Sequence, residues 1–405
     1  MAQLLSVAYN KTCAFLPEIM NKEKPSYSLR ELILYALKLG ATGFGGPVAL
    51  VGYMFRDLVE KRKWISEADY KEGMALAQVA PGPLASQLAI YLGYVDYKIL
   101  GATLVGIAFV LPSFLMVVLL GWLYTRYGGS SWMQAVFYGV GACVIGIIAI
   151  SSYRLALKTV GKNKLLWTIY IVVAVFTAVT ESENIYLILA GGFLVWFIQN
   201  PPFRSKTMNA LGLLAMPLVV NAPLTTHPHV LGDIFLYFAK AGSFVFGSGL
   251  AIIPFLYGGV VNEHHWLNNQ QFLDAVAVAM ITPGPVVITV GFIGYLIAGF
   301  PGACVAALGT FLPCYLFTII PAPYFKKYGK KPAILSFVNG ITAAAVGAIT
   351  GAVIVLGRKS IIDIPTVLIA AVTAFILWKS KKVPEPVLIL IAALIGLIIK
   401  LGGLA

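Results

Sequence analysis

Apolar residues run in long blocks along this chain, not in the narrow stripes of helices that face water on one side. Continuous blocks fall at 101–124, 134–153, 165–179, 185–198, 209–220, 302–320, 333–356, 364–378 and 387–399. A helix rises 1.5 Å per residue, so roughly 20 apolar residues cross the hydrocarbon of a bilayer. These blocks therefore predict spanning helices. Four further blocks are interrupted. The stretch 32–39 runs into Gly40-Ala41-Thr42-Gly43-Phe44-Gly45-Gly46-Pro47 before 48–58, and 70–80 runs into Pro81-Gly82-Pro83 before 84–94. The pattern returns as 234–241, a glycine-rich 242–249 and 250–261, then as 272–282, Pro283-Gly284-Pro285 and 286–296. Each piece is too short to cross alone. Glycine frees the backbone there and proline removes a donor. Such pieces predict broken, re-entrant hairpins, tolerated at membrane depth where protein or a watery cavity surrounds them.

The interruptions repeat. Lys38, Gly40, Phe44 and Gly45 recur 202 residues later as Lys240, Gly242, Phe246 and Gly247. Trp64 recurs as Trp266, and Pro81-Gly82-Pro83 as Pro283-Gly284-Pro285. After a one-residue gap the spacing is 201, and Gly93, Gly101, Pro112 and Gly146 match Gly294, Gly302, Pro313 and Gly347. A register held over so long a stretch predicts two homologous halves. The expected organisation is an N-terminal arm at 1–27 without a cleaved signal peptide, a first repeat at 28–200, a connecting segment at 201–229 and a second repeat at 230–405.

Composition narrows the class. Of the 405 residues 59% are hydrophobic and 11% charged, against about 25% charged in a soluble domain. The four cysteines, Cys13, Cys143, Cys304 and Cys314, are scattered and make no disulfide scaffold. The expectation is an all-α polytopic membrane protein. A net charge of +13 could suggest nucleic acid, but the basic residues sit in short loops between apolar blocks, so no nucleic-acid partner is expected. Their placement sets orientation. Lys61-Arg62-Lys63 is basic where its counterpart Glu263-His264-His265 is not, while Lys326, Lys327, Lys330 and Lys331 answer the single Arg126. The alternation predicts halves of opposite topology. With the hairpins returning to their own side, nine spans result, or between 10 and 13 with the hairpins counted as spans, and Trp64 and Trp266 anchor hairpin bases at the interface.

Inverted repeats with broken helices are a transporter arrangement, in which half-helix N-termini offer unpaired N–H groups and a partial positive charge to an anion. The candidate binding residues are Lys38, Thr42, Gly45, Gly46, Pro81, Gly82, Pro83, Ser86 and Gln87 in the first half. In the second they are Lys240, Ser243, Gly247, Ser248, Pro283, Gly284, Pro285 and Thr289. The lysines equally fit a reading in which each snorkels to an interface, and the polar side chains one in which they join helices. Two matched carboxylate pairs, Glu31 with Asp233 and Glu72 with Asp274, are candidates for proton coupling, or for neutralising a lysine or capping a helix. The histidines His227, His229, His264 and His265 read as polar loop residues. No metal-ligand spacing, nucleotide cradle or catalytic triad accompanies them, so neither an enzyme nor a cofactor is expected.

The runs Phe44-Gly45-Gly46-Pro47, Arg62-Lys63-Trp64-Ile65, Ala77-Gln78-Val79-Ala80-Pro81-Gly82-Pro83, Gln87 to Tyr94 and Phe109-Val110-Leu111-Pro112-Ser113-Phe114 resemble the chromate ion transporter family. A diverged copy follows in Phe246-Gly247-Ser248-Gly249, Ile281-Thr282-Pro283-Gly284-Pro285 and Phe311-Leu312-Pro313. The likeness is to the duplicated, two-domain members and covers roughly 28–358. It implies outward transport of chromate across the prokaryotic plasma membrane, chromate resistance, sulfate as a competitor and proton exchange as the coupling. The family pattern often has a small polar residue after Pro-Gly-Pro; here stand Leu84 and Val286, which shifts weight to backbone N–H groups. A sulfate or other oxyanion importer and a non-transporting membrane scaffold or sensor are the competing readings. A homodimer is left open.

Overall fold

The computed structural model describes residues 26–44, 46–127, 130–181, 184–200, 230–245, 249, 252–328, 331–380 and 383–401, and among them are helices and turns and no strand. The arm at 1–25, the expected span at 209–220, Glu183, His227, His229 and the candidates Gly45, Gly247 and Ser248 lie outside the described residues.

Helix α1 (Leu29–Thr42) starts at a capping box. The Glu31 N–H donates to the Ser28 hydroxyl at 3.3 Å, and the Ser28 N–H donates back to the Glu31 carboxylate at 2.7 Å. It ends at the first glycine-rich break. Helix α2 (Gly46–Met54) continues into a π-helical turn, Phe55–Lys61. Helix α3 (Glu67–Val79), capped by Ser66, stops at the first Pro-Gly-Pro. Helix α4 (Leu84–Tyr127) would be about 66 Å long if straight, roughly twice the hydrocarbon thickness. It folds sharply at Lys98 (φ 52, ψ −140) into arms 84–97 and 99–127. The arms touch backbone to backbone. A Cβ on Gly93 would lie 2.5 Å from the Gly101 carbonyl oxygen, so glycine is required there. Helices α5 (Ser131–Val160), α6 (Lys164–Thr180) and α7 (Ile185–Gln199) complete the half.

The second half repeats the order. Helix α8 (Val230–Ser243) answers α1, α9 (Ile252–Tyr257) with its π turn Gly258–Glu263 answers α2, and α10 (Asn269–Ile281) answers α3. A 3-10 turn, Val286–Ile288, then leads into α11 (Thr289–Ile319), which folds at Gly299 (φ 63, ψ −154) as α4 folds at Lys98. After a short α12 (Ala322–Tyr328) come α13 (Pro332–Ser360), α14 (Ile364–Lys379) and α15 (Glu385–Leu401). Among the described residues four helical stretches are long and apolar enough to cross a membrane: Leu84–Tyr127, Ser131–Val160, Val286–Ile319 and Pro332–Ser360.

Helix α5 runs well past the apolar block 134–153, taking in Arg154 and Lys158. In this extension the Arg154 guanidinium donates to the Leu377 carbonyl on α14. The tryptophans sit in aromatic stacks at the hairpin bases. Trp64 lies between Tyr27 (5.0 Å) and the Arg62 guanidinium (4.5 Å), and Trp266 stacks on His264 (4.3 Å).

The halves interlock. Helix α5 packs chiefly on α14 and α15, and α13 on α6 and α7. Contacts between the Tyr138 hydroxyl and Asp363 (2.6 Å) and between Cys143 and Thr373 (3.5 Å) make α5 parallel to α14. The equivalent helices α5 and α13 are antiparallel. Ser152 meets Thr350 at 2.6 Å, while a Cβ on Gly357 would touch Ile145, seven residues back on α5 and seven on along α13.

Candidate functional site: where the four breaks meet

Each Pro-Gly-Pro turn bonds to the glycine-rich break of the other half. The Gly82 N–H donates to the Val245 carbonyl at 2.5 Å, and the Gly284 N–H donates to the Gly43 carbonyl at 2.9 Å. The two contacts are equivalent under the 202-residue spacing, each joining a turn of one half to the break of the other. Both glycines have positive φ, +142 at Gly82 and +95 at Gly284, a region that side chains rarely enter. Space demands glycine as well. A Cβ on Gly284 would stand 2.0 Å from the Ser113 hydroxyl oxygen, and one on Gly82 would stand 3.0 Å from the Cys314 sulfur. Ser113 and Cys314 are themselves equivalent, each following the proline inside its helix. Both are fully buried. Sequence reasoning singled out neither for the site. The signal was present in the matched Pro112-Ser113 and Pro313-Cys314, but nothing local says that they face the opposite half's turn.

The first three N–H groups of a helix have no partner within it. At the first turn these belong to Leu84, Ala85 and Ser86, since the Gln87 N–H is the first to bond back, to the Pro83 carbonyl at 3.0 Å. Ser86 and Gln87 are buried in that opening turn, at 1% and 0% exposure, and the Ser86 hydroxyl has no partner among the described residues. The second turn differs. Its 3-10 geometry bonds the Ile288 N–H to the Pro285 carbonyl, and Ile288 stands where the first half has Ser86.

The other polar candidates have committed their hydroxyl hydrogens to their own helices. Thr42 donates to the Lys38 carbonyl at 2.8 Å, Ser243 to Ala239 at 2.8 Å and Thr289 to Val286 at 2.7 Å. Gly46 opens α2 with φ +72. Pro81 lends its carbonyl to the Gln87 amide at 2.7 Å. Pro83 and Pro285 end the two turns, and Pro283 opens the second. Lys38 and Lys240 lie about one turn before the breaks. The Lys38 side chain is exposed and that of Lys240 half-buried.

The carboxylates fall into two groups. Glu31 is an exposed capping residue whose bonds from Ser28 hold its carboxyl below the usual range, and Asp233 lies half-buried in the first turn of α8. Deeper in, half-buried Glu72 pairs with the Tyr91 hydroxyl. Asp274 is 3% exposed and accepts from the Tyr124 hydroxyl (2.7 Å) and the Gln270 amide (2.8 Å). Tyr124 also lines a cavity of about 390 Å³ that runs from Tyr127 and Trp132 to Val278 and Ile281. Among the described residues no group of histidine, cysteine or carboxylate side chains is placed to hold a metal.

The family model described as chromate transporter matches residues 30–196 and again 232–397. A chromate transport protein of Cupriavidus metallidurans is 67% identical over 92% of this chain and 94% of its own length. A probable chromate transport protein of Synechococcus elongatus is 65% identical over 92% of the chain and 96% of its own, and a chromate transport protein of Pseudomonas aeruginosa is 31% identical over 92% of each. No solved structure matches. Bacterial relatives that are transporters, together with long apolar helices, make this a multi-pass protein of the prokaryotic plasma membrane. Two matches that together take in most of the chain, and relatives this similar over nearly its whole length, mean that the chain belongs to the chromate transporter family.

Proposed function

We propose that this protein carries chromate outward across the plasma membrane, holding the oxyanion at the N-terminus of α4 and so conferring chromate resistance. The observation that carries this reading is the buried Ser86 hydroxyl, without a partner among the described residues, beside the N–H groups of Leu84, Ala85 and Ser86 that precede the first bond back within the helix. Those donors, with the positive end of the helix dipole, fit a tetrahedral oxyanion. Lys38 and Lys240 add positive charge on the approaches. Two interlocked repeats with antiparallel equivalent helices suit alternating access, in which the halves exchange conformations around a fixed site. An inside-negative potential favours the direction: each negative charge leaving is worth roughly 2.3 kcal/mol per 100 mV. A coupling proton would be taken by Glu72 or Asp274, the matched pair of carboxylates, each of which meets a tyrosine hydroxyl. Sulfate, a dianion of similar shape, is the competitor to test.

The test is counterflow in proteoliposomes: uptake of labelled chromate driven by unlabelled chromate inside. Ser86→Ala should lower the initial rate about tenfold, one lost hydrogen bond to a charged group. Neutralising both lysines should weaken apparent affinity. Counterflow with sulfate and none with chromate would replace this reading with a sulfate carrier.

A further inference from the structure

Gln87 holds a polar atom for which the oxyanion reading has no use. The side chain is completely buried and folds back over the turn before it. Its Nε2 donates to the Pro81 carbonyl at 2.7 Å. A carbonyl can only accept, so this bond decides which end of the amide faces Pro81. The other end, Oε1, is buried without a donor among the described residues, an arrangement that is costly unless something supplies one. Gly82 makes the room: a Cβ there would lie 2.8 Å from the Gln87 amide carbon. The opening turn of α4 therefore presents several donors and one unsatisfied acceptor. The equivalent of Gln87 is Thr289, whose hydroxyl donates to the Val286 carbonyl, so the second half carries no side-chain amide at this place.

A tetrahedral dianion carries only acceptors and would meet Oε1 lone pair to lone pair. A singly protonated oxyanion has one hydroxyl to give. We propose that the species bound at this turn is hydrogen chromate, its hydroxyl donating to Gln87 Oε1 while its other oxygens accept from Ser86 Oγ and the free N–H groups. This rests on the α4 site proposed above. It also supplies selectivity. Hydrogen chromate loses its proton near neutral pH, so both forms are present in a cell. The hydrogen forms of sulfate and selenate are strong acids, and these anions carry no proton there. A site built to receive a substrate hydroxyl rejects an analogue lacking it, since the buried acceptor is left unpaired. Gln87 thus separates two anions that size and shape hardly distinguish. Of the titratable groups on elements packed against α4, Cys314 stands at this turn, its sulfur 3.0 Å from where a Gly82 Cβ would lie, while Glu72 bonds to Tyr91 and Asp274 to Tyr124 and Gln270. None of them hydrogen-bonds to the Gln87 side chain.

The experiment is equilibrium exchange of labelled chromate in proteoliposomes with the same pH on both sides, at subsaturating chromate, from mildly acidic to alkaline pH. The expected wild-type rate falls about tenfold per pH unit above the chromate pKa, following the hydrogen chromate fraction. Sulfate and selenate should compete weakly throughout. In Gln87→Leu and Gln87→Met the pH dependence should flatten and the preference for chromate over sulfate fall at least tenfold. A protein carboxylate titrating elsewhere would leave the pH dependence intact in both variants. A wild-type rate that is flat or rises with pH, or unchanged pH dependence and sulfate discrimination in both variants, overturns the hydrogen chromate assignment and leaves chromate transport standing. No chromate exchange at any pH overturns the α4 site itself. A flat or rising wild-type series overturns the assignment even where a variant fails to fold.

Discussion

Gly284 carries two demands at once, a left-handed backbone and no side chain against Ser113. Gly284→Ala should lower stability by about 2–4 kcal/mol and abolish counterflow. Ser113→Gly in the same background removes the clash but not the backbone strain, so melting in detergent should show partial recovery. Complete tolerance of the single substitution would mean that this turn is not closed against the other half. Asp363 offers a pH test at the same scale. It caps α14 through the Thr366 N–H (2.9 Å) and accepts from the Tyr138 hydroxyl (2.6 Å). Burial pushes its carboxyl up, but the bonds from Tyr138 and Thr366 outweigh this and hold it below the usual 3.8. A carboxylate with a depressed folded pKa stabilises fully above 3.8 and loses that contribution as pH falls through the folded value. Asp363→Ala should therefore cost about 1 kcal/mol at neutral pH. Melting curves of the two proteins should converge in strong acid.

The bend in α4 is the element on which the first half's second hairpin depends. Lys98 occupies φ 52, ψ −140, a region natural to glycine, and its equivalent in the second half is Gly299. The lysine keeps weak contacts there, a 3.4 Å approach to the Val95 carbonyl and a position over the Tyr94 ring. Lys98→Gly should relieve the strain and raise stability by about 1 kcal/mol. Gly299→Lys should lower it by a similar amount, and thermal melting of both decides. The close approach of Gly93 to Gly101 and of Gly294 to Gly302 holds the paired arms whichever residue sits at the bend.

At the scale of the molecule, α5 and α13 occupy equivalent places and point in opposite directions. The two hairpin bases share a backbone shape, with positive φ at Lys63 and His265, yet one is basic and the other is not. Positive charge favours the cytoplasmic side. Single cysteines at 61–63, in a background without the four native cysteines, should react with a membrane-impermeant reagent from the cytoplasmic side. Those at 263–265 should react from outside. Labelling of both sets from one side would contradict opposed orientations.

The spanning blocks, the four interruptions and the 202-residue register were legible without coordinates. Apolar length answers directly to bilayer thickness, and glycine and proline act on the backbone where they stand. The observed helices begin and end within several residues of the predicted ones, and the overruns at Arg154 and Lys359 reflect long side chains that a hydropathy block leaves out. The turns around Gly82 and Gly284 were legible as helix breaks. That each bonds to the other half's break was not, because Gly82 and Val245 are brought together only by folding. The same holds for Ser113 against Gly284 and for α5 lying on α14 and α15. Nor does a sequence say which hydroxyls are already used. Thr42, Ser243 and Thr289 bond to their own helices, while Ser86 and Gln87 keep unmatched atoms in a buried turn. The sequence by itself determined a duplicated membrane protein with four broken helices, since hydropathy and backbone freedom are local properties. Which donors and acceptors remain for a substrate was decided only by the tertiary structure, because a hydrogen bond depends on what distant segments bring within reach.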